Sequence, residues 1–149
     1  MVTKASHIHF AGSEYYRKRI INMGESPWRV HFSGTPIIDG LKQVKRENKD
    51  LFFSKLGLNQ EKKTCILTYH PVTLEFRYSI KDQINNIFQS LKNYDVQVIV
   101  TSPNIEVGRD KVVKLIKNNI KEKKNYIYID SLGFDRFHNL LPFCNFVIG

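Results

Sequence analysis

The fold is decided by the stretch Cys65-Ile66-Leu67-Thr68-Tyr69-His70-Pro71-Val72-Thr73-Leu74-Glu75, in which an apolar strand runs directly into a histidine and a helical pattern follows. A parallel strand that feeds a helix leaves its last side chains at the carboxyl edge of the sheet, where open α/β folds bind their ligands. At that edge the His70 imidazole can donate to phosphate oxygens or exchange a proton near neutral pH. Thr73 is placed to cap a helix whose free N–H groups attract anions. The alternative is that His70 simply ends a buried strand.

The same strand and helix alternation recurs along the rest of the chain. The predicted elements are, in order, a strand at 96–100, a helix at 109–121, a strand at 126–129, a helix at 134–142 and a strand at 146–149. Strands that alternate with helical patterns at this spacing indicate βαβ units, and therefore a parallel sheet with helices on its faces. His70, Asn104, Ser131 and Gly149 are therefore expected at one edge of one sheet.

Size and composition limit the class of protein. The chain has 149 residues, of which 42% are hydrophobic, which is enough to bury one ordinary core. No apolar run approaches the ~18 residues that span a bilayer, and no signal-peptide pattern precedes the first strand. These features predict a soluble cytoplasmic protein. Cys65 and Cys144 stand among apolar residues and are interpreted as buried thiols, not as a disulfide or a metal site.

The net charge of +9 would by itself suggest an anionic macromolecular partner. The lysines at 111, 114, 117 and 121, however, recur every three or four residues opposite an apolar face. This spacing is typical of the solvated side of one helix, and no aromatic interleaving or nucleic-acid motif accompanies it. We therefore favour a solvated helix face over a nucleic-acid surface.

The first sixty residues have their own pattern. Ser13 and Gly24 bracket a short amphipathic helix, residues 30–32 form a strand, and Pro36 opens a helix that continues from Ile37. The charged segment 42–63 is the predicted connection, with a helix around 51–56 that Gly57 ends.

Four histidines have no assigned chemistry. His7 and His9 would point the same way on one strand, which could suit a metal, but no further ligands are spaced for one. His31 and His138 have no partner pattern and are treated as incidental.

Together, several segments resemble a known family. They are Ser6-His7-Ile8-His9-Phe10, Arg17 to Gly24 with Val30, Asp39, His70-Pro71-Val72-Thr73-Leu74-Glu75, Pro103-Asn104-Ile105-Glu106-Val107-Gly108-Arg109 and Val147-Ile148-Gly149. In this order they resemble the hydrolysing UDP-N-acetylglucosamine 2-epimerases over nearly the whole chain. Those enzymes supply N-acetylmannosamine or related sugars to sialic and legionaminic acid pathways.

The resemblance implies a partial GT-B fold, an α/β architecture of Rossmann-like parallel sheets with flanking helices. Residues 1–41 would be the end of the first domain and the hinge, 42–63 the connection, and 64–149 most of the second, nucleotide-binding domain. The chain would then be a piece of a longer family member, with Gly149 just before the family's Asn-Ser-Ser-rich phosphate loop. The carboxylates and arginine that the family uses for proton transfer have no counterpart in these residues.

The resemblance also implies an activity and six site residues. The family converts UDP-N-acetylglucosamine and water to N-acetylmannosamine and UDP, through elimination to a glycal and hydration. His70 would be catalytic by hydrogen-bonding the departing diphosphate. The nucleotide would be held by Thr73, Asn104, Ser131, Leu132 and Gly149, the Ser131-Leu132 loop acting largely through its main chain.

The implied partners are a UDP-sugar and further copies of the full-length protein, with no metal, cofactor, nucleic acid or membrane. Arg109 and Asp110 are interpreted as solvent-facing residues of a first helical turn. Three alternatives stay open: a GDP-linked substrate, a non-catalytic nucleotide-binding or interaction domain, and half of a GT-B glycosyltransferase.

Overall fold

A computed structural model describes residues 2–71, 79–103 and 108–149. The chain forms two compact units, Met1–Val44 and Lys45–Gly149. Within the described residues, no helix is both long enough and apolar enough to cross a membrane.

The first unit holds a short pair of parallel strands. Its elements are α1 Val2–Ala5, β1 His9–Ala11, α2 Glu14–Asn22, a 3₁₀ turn at Pro27–Arg29, β2 Val30–Phe32 and α3 Pro36–Gln43. The predicted start of α2 is confirmed, because the Ser13 side chain accepts a hydrogen bond from the Tyr16 N–H at 3.2 Å. Gly24 follows the helix with a φ of 93°, a conformation that glycine adopts at little cost.

The second unit contains the parallel sheet predicted from the strand pattern. Its elements are α4 Lys49–Leu56, β3 Lys63–Thr68, α5 Ile80–Leu91, β4 Val96–Thr101, α6 Arg109–Ile120, β5 Tyr126–Ile129, α7 Gly133–Leu140, a 3₁₀ turn at Leu141–Phe143 and β6 Phe146–Ile148. Its four strands lie in the order β5-β4-β3-β6, and every pairing is parallel. Successive strands β3, β4 and β5 therefore lie side by side in one direction, and β6 pairs with the other side of β3. The reversal of direction between β3 and β6 makes a topological switch point, the place where open α/β sheets bind ligands.

The strand period of two divides the core between the two faces of the sheet. Cys65 and Leu67 pack with residues of α5 and α6, whereas Ile66 packs on the opposite face with residues of α4 and α7. Both faces are apolar, which explains why the centres of β3 and β4, Cys65-Ile66-Leu67 and Val98-Ile99-Val100, are continuous hydrophobic runs.

Helix α4 packs on the sheet, although the charged composition around it predicted only a connection. Phe52 and Phe53 are each 1% exposed and belong to the core on the α7 side. Asn48 caps the helix by accepting from the Asp50 N–H at 2.8 Å, and Gly57 ends it in the left-handed conformation as predicted.

The predicted faces of α5 and α6 are largely confirmed. Val112 and Ile116 are buried while the lysines at 111, 114, 117 and 121 are exposed, so these lysines form a solvated helix face. On α5, Ile84 and Leu91 are buried as predicted. Ile80, which the periodicity also placed on the buried face, is instead 40% exposed because it is the first residue of the helix.

Candidate functional site

All four strands of the second unit deliver polar or glycine residues to the same edge of the sheet. His70 lies two residues after β3, Ser102 directly after β4, Asp130 directly after β5 and Gly149 directly after β6. Because the strands are parallel, these positions come together at the carboxyl edge.

A cavity of about 630 Å³ opens at this edge. Its lining is Thr68, His70, Thr101, Ser102, Asp130, Ser131, Leu132, Gly133, Phe134, Phe137, His138, Val147, Ile148 and Gly149. The cavity thus contains His70, Ser131, Leu132 and Gly149, four of the six residues selected from the sequence. The other two, Thr73 and Asn104, lie outside the described residues.

His70 does not end its strand inside the core. Its side chain is exposed at the cavity, whereas the preceding Tyr69 is 8% exposed and donates a hydrogen bond to Gln83 Oε1 at 2.7 Å. Below His70, the hydroxyls of Thr68 and Thr101 hydrogen-bond across the paired ends of β3 and β4. An imidazole at such an edge is available to donate a hydrogen bond to a bound anion.

The loop between β5 and α7 is short and locally fixed. The Ser131 Oγ accepts from the Gly133 N–H at 3.2 Å, and Gly133 has a φ of 68° that favours glycine. The Leu132 side chain is 7% exposed and packs with the α7 side of the core. What Leu132 can offer a ligand is therefore mainly its backbone.

Asp130 brings a negative charge to the cavity. Its Oδ1 accepts hydrogen bonds from the Tyr128 hydroxyl at 3.0 Å and from the Arg109 Nη2 at 2.6 Å. The Tyr128 hydrogen bond and the Arg109 guanidinium hold the pKa of the Asp130 carboxyl below its usual range, against an opposing effect of partial desolvation. Asp130 is consequently ionised at neutral pH.

Two interpretations from the sequence are wrong here. Arg109 was expected to face solvent, yet its side chain is only 27% exposed and is paired with Asp130 on the neighbouring loop. His138 was treated as incidental, yet it lines the cavity, with its Nδ1 donating to the Phe134 carbonyl at 2.8 Å and its ring 4.2 Å from the Phe134 ring. The position of Asp130 directly after a strand was a usable signal, whereas the inward turn of His138 depended on the placement of α7.

The histidine pair of the first unit does not form the arrangement considered from the sequence. His7 lies before β1 and packs edge-on near Trp28, while His9 is buried with its Nε2 3.4 Å from Glu25 Oε2. The Lys4 ammonium, which donates to Glu25 Oε1 at 2.9 Å, lowers the pKa of the Glu25 carboxyl, assisted by Arg29. Across residues 2–71, 79–103 and 108–149, no group of three or more His, Cys, Asp or Glu side chains could hold a metal ion.

The fold and the edge cavity define an α/β protein with a Rossmann-like parallel sheet that is open at its switch point. The family model described as UDP-N-acetylglucosamine 2-epimerase matches residues 1–149, and three known proteins are similar to this chain. The chain therefore belongs to the UDP-N-acetylglucosamine 2-epimerase family.

Two of these relatives are similar in sequence. The chain is 34% identical over 119 residues to the hydrolysing UDP-N,N'-diacetylbacillosamine 2-epimerase of Legionella pneumophila, covering 80% of this chain and 31% of the relative. It is 25% identical over 150 residues to the hydrolysing GDP/UDP-N,N'-diacetylbacillosamine 2-epimerase of Campylobacter jejuni, covering 99% of this chain and 39% of the relative.

The third is a solved structure, UDP-GlcNAc 2-epimerase from Neisseria meningitidis bound to UDP-GlcNAc. It matches with a TM-score of 0.75 at 18% identity, over 97% of this chain and 40% of that one. The expected GT-B type fold is confirmed by this likeness. The chain spans between 31% and 40% of the length of these three proteins.

Proposed function

We propose that this chain supplies the nucleotide-diphosphate side of the substrate cleft of a hydrolysing UDP-N-acetylglucosamine 2-epimerase. One observation carries the proposal: His70, Ser131, Leu132 and Gly149 line a single cavity at the switch point of the sheet. A cavity there is where an open α/β sheet holds a nucleotide.

The proposed reaction divides into elimination and hydration. The C2 proton of the sugar is removed and the C1–O bond to UDP breaks, which leaves a C1–C2 double bond. Water then adds across that bond, with hydroxyl at C1 and a proton at C2 on the opposite face, to give N-acetylmannosamine. Negative charge develops on the departing diphosphate, so a donor placed there lowers the barrier.

His70 would be that donor, because its exposed imidazole stands at the cavity two residues beyond β3. The Ser131-Leu132 backbone would hold the nucleotide base, and the ends of β3 and β6 would lie beneath the phosphates. Thr73 and Asn104 stay predicted nucleotide contacts. The homo-oligomeric state and cytoplasmic location also stay predictions.

A substrate carrying N,N'-diacetylbacillosamine is the second candidate. The names of the Legionella and Campylobacter relatives favour it, and the Campylobacter name includes GDP as well as UDP. Both candidates place a nucleoside diphosphate in the same cavity, so the nucleotide-binding test applies to either.

Isothermal titration calorimetry of the 149-residue chain with UDP and GDP tests the proposal. We expect binding of at least one of them, and a loss of about ten- to a hundredfold in affinity for His70→Ala, the usual worth of a hydrogen bond to a charged group. His31→Ala is the matched control, since His31 is exposed on β2 in the other unit. Absence of binding for both nucleotides would reject the proposal in favour of a non-catalytic interaction domain.

A further inference from the structure

The cavity at the carboxyl edge contains a negative charge, Asp130, which would disfavour binding of a nucleoside diphosphate. Asp130 carries the one side-chain carboxylate among the described lining residues, and these include no lysine or arginine. A nucleoside diphosphate carries several negative charges, so an unneutralised Asp130 carboxylate in the same cavity would oppose its binding. Within the described residues, a cation that acts on Asp130 therefore has to come from beside this lining and not from within it.

We propose that Arg109 is a positioning residue that neutralises and orients Asp130, and thereby allows the cavity to accept a diphosphate. The inference rests on the proposed function and extends it to a residue that does not touch the ligand. Arg109 is the first residue of α6, and Asp130 begins the loop after β5. The pair thus ties together the loops that leave two neighbouring strands.

The geometry supports a directed interaction. The 2.6 Å contact joins Arg109 Nη2 to the same Oδ1 that accepts the Tyr128 hydroxyl at 3.0 Å. Two donors on one carboxylate oxygen fix the rotation of the carboxylate and draw its charge toward α6. The Lys117 ammonium, 4.9 Å from the centre of the Tyr128 ring, adds positive charge on the same side.

The simpler explanation is an exposed ion pair of little consequence. The Asp130 side chain is 68% exposed, and such pairs commonly add little to stability. The two explanations predict opposite effects of losing Asp130 on the affinity for UDP. A merely structural pair predicts that loss of either partner weakens ligand binding similarly, whereas charge neutralisation predicts opposite effects of the two losses.

The test measures binding of UDP and of uncharged uridine by calorimetry at low ionic strength. Arg109→Met should weaken UDP binding about tenfold and uridine binding less than about threefold, because only UDP meets the exposed Asp130 charge. Asp130→Asn should leave UDP binding equal or tighter, since it frees the Arg109 charge. The double variant should return UDP affinity to within about threefold of the unmodified chain, and Arg109→Lys should retain most of it.

Lys62→Met is the matched control. It removes a positive charge from another exposed ion pair, in which Lys62 Nζ lies 3.0 Å from Asp95 Oδ1. Lys62 directly precedes β3 and Asp95 directly precedes β4, so this pair lies at the opposite edge of the sheet. UDP affinity should not change in this variant. Equal losses of UDP and uridine binding in Arg109→Met, or a tenfold loss of UDP binding in Asp130→Asn, would overturn the inference. Failure of the unmodified chain to bind UDP or GDP would instead reject the proposed function on which it rests.

Discussion

Neighbouring residues at the carboxyl edge contribute to the cavity in different ways. His70 presents an exposed imidazole, Leu132 packs its side chain in the core, and Asp130 is paired with a cation from another element. The position of each relative to a strand end follows from the strand pattern, and so His70 and Ser131 could be selected from the sequence. The Arg109–Asp130 pair could not, because its members are 21 residues apart and meet only when β4 and β5 are side by side.

The two thiols give a prediction at the scale of single residues. Burial raises the pKa of Cys65 to about 11 and that of Cys144 to about 12. At pH 8 about one Cys65 thiol in a thousand would be ionised, and the thiolate is the reactive form. We expect neither cysteine to react with a disulfide reagent such as DTNB within minutes in the folded chain, and both to react in concentrated guanidinium chloride.

The variant Cys144→Ser, measured beside Cys65→Ser, assigns any residual reactivity to one thiol. Rapid reaction of a full equivalent in the folded chain would contradict the burial of Cys65 or the partial burial of Cys144, according to which thiol reacts.

At the scale of elements, local signals predicted helix ends better than helix contacts. Ser13, Gly24 and Gly57 marked ends because capping and left-handed turns depend on the residue itself. The packing of α4 on the sheet was missed, because the charged residues around Phe52 and Phe53 made the segment look solvated. Burial of two adjacent aromatic residues requires a neighbouring surface that the local sequence does not describe.

A buried amide links that segment to the sheet and supplies a prediction. Gln97 on β4 is 4% exposed. Its Oε1 accepts a hydrogen bond from the Asn59 N–H at 3.0 Å, and its Nε2 donates to the Asn59 carbonyl at 2.7 Å. The same Nε2 also donates to the Thr64 Oγ1 at 2.8 Å. Gln97→Leu should lower the free energy of unfolding by about 2–4 kcal/mol, because backbone groups of Asn59 would lose their partner. Urea denaturation followed by circular dichroism measures this change.

Gln89→Leu is the control for the same substitution on an exposed position of α5. It should stay within about 0.5 kcal/mol of the unmodified chain. A similarly small effect for Gln97→Leu would show that the amide does not hold the α4 segment to the sheet.

At the scale of the whole molecule, the proposed function assigns nucleotide binding to this chain and proton transfer to residues outside it. The resemblance implies that the family's acid and base residues have no counterpart among these 149 residues, whereas the proposed diphosphate contacts lie at the carboxyl edge of the sheet. We therefore predict that the chain alone binds nucleotide but does not turn over UDP-N-acetylglucosamine. Proton NMR of the sugar anomeric signals over a day, with a full-length family member as positive control, measures this. Formation of N-acetylmannosamine by the 149 residues would disprove the prediction.

The strand order of the second unit also has a consequence for biosynthesis. β3 pairs with β4 about thirty residues later, but its other side pairs with β6 only about eighty residues later, Cys65 lying beside Phe146. During translation the innermost strand therefore keeps one side open until residues 146–148 have been made and released. Nascent chains that stall earlier would expose an apolar strand edge, the kind of surface that chaperones shield and that otherwise aggregates.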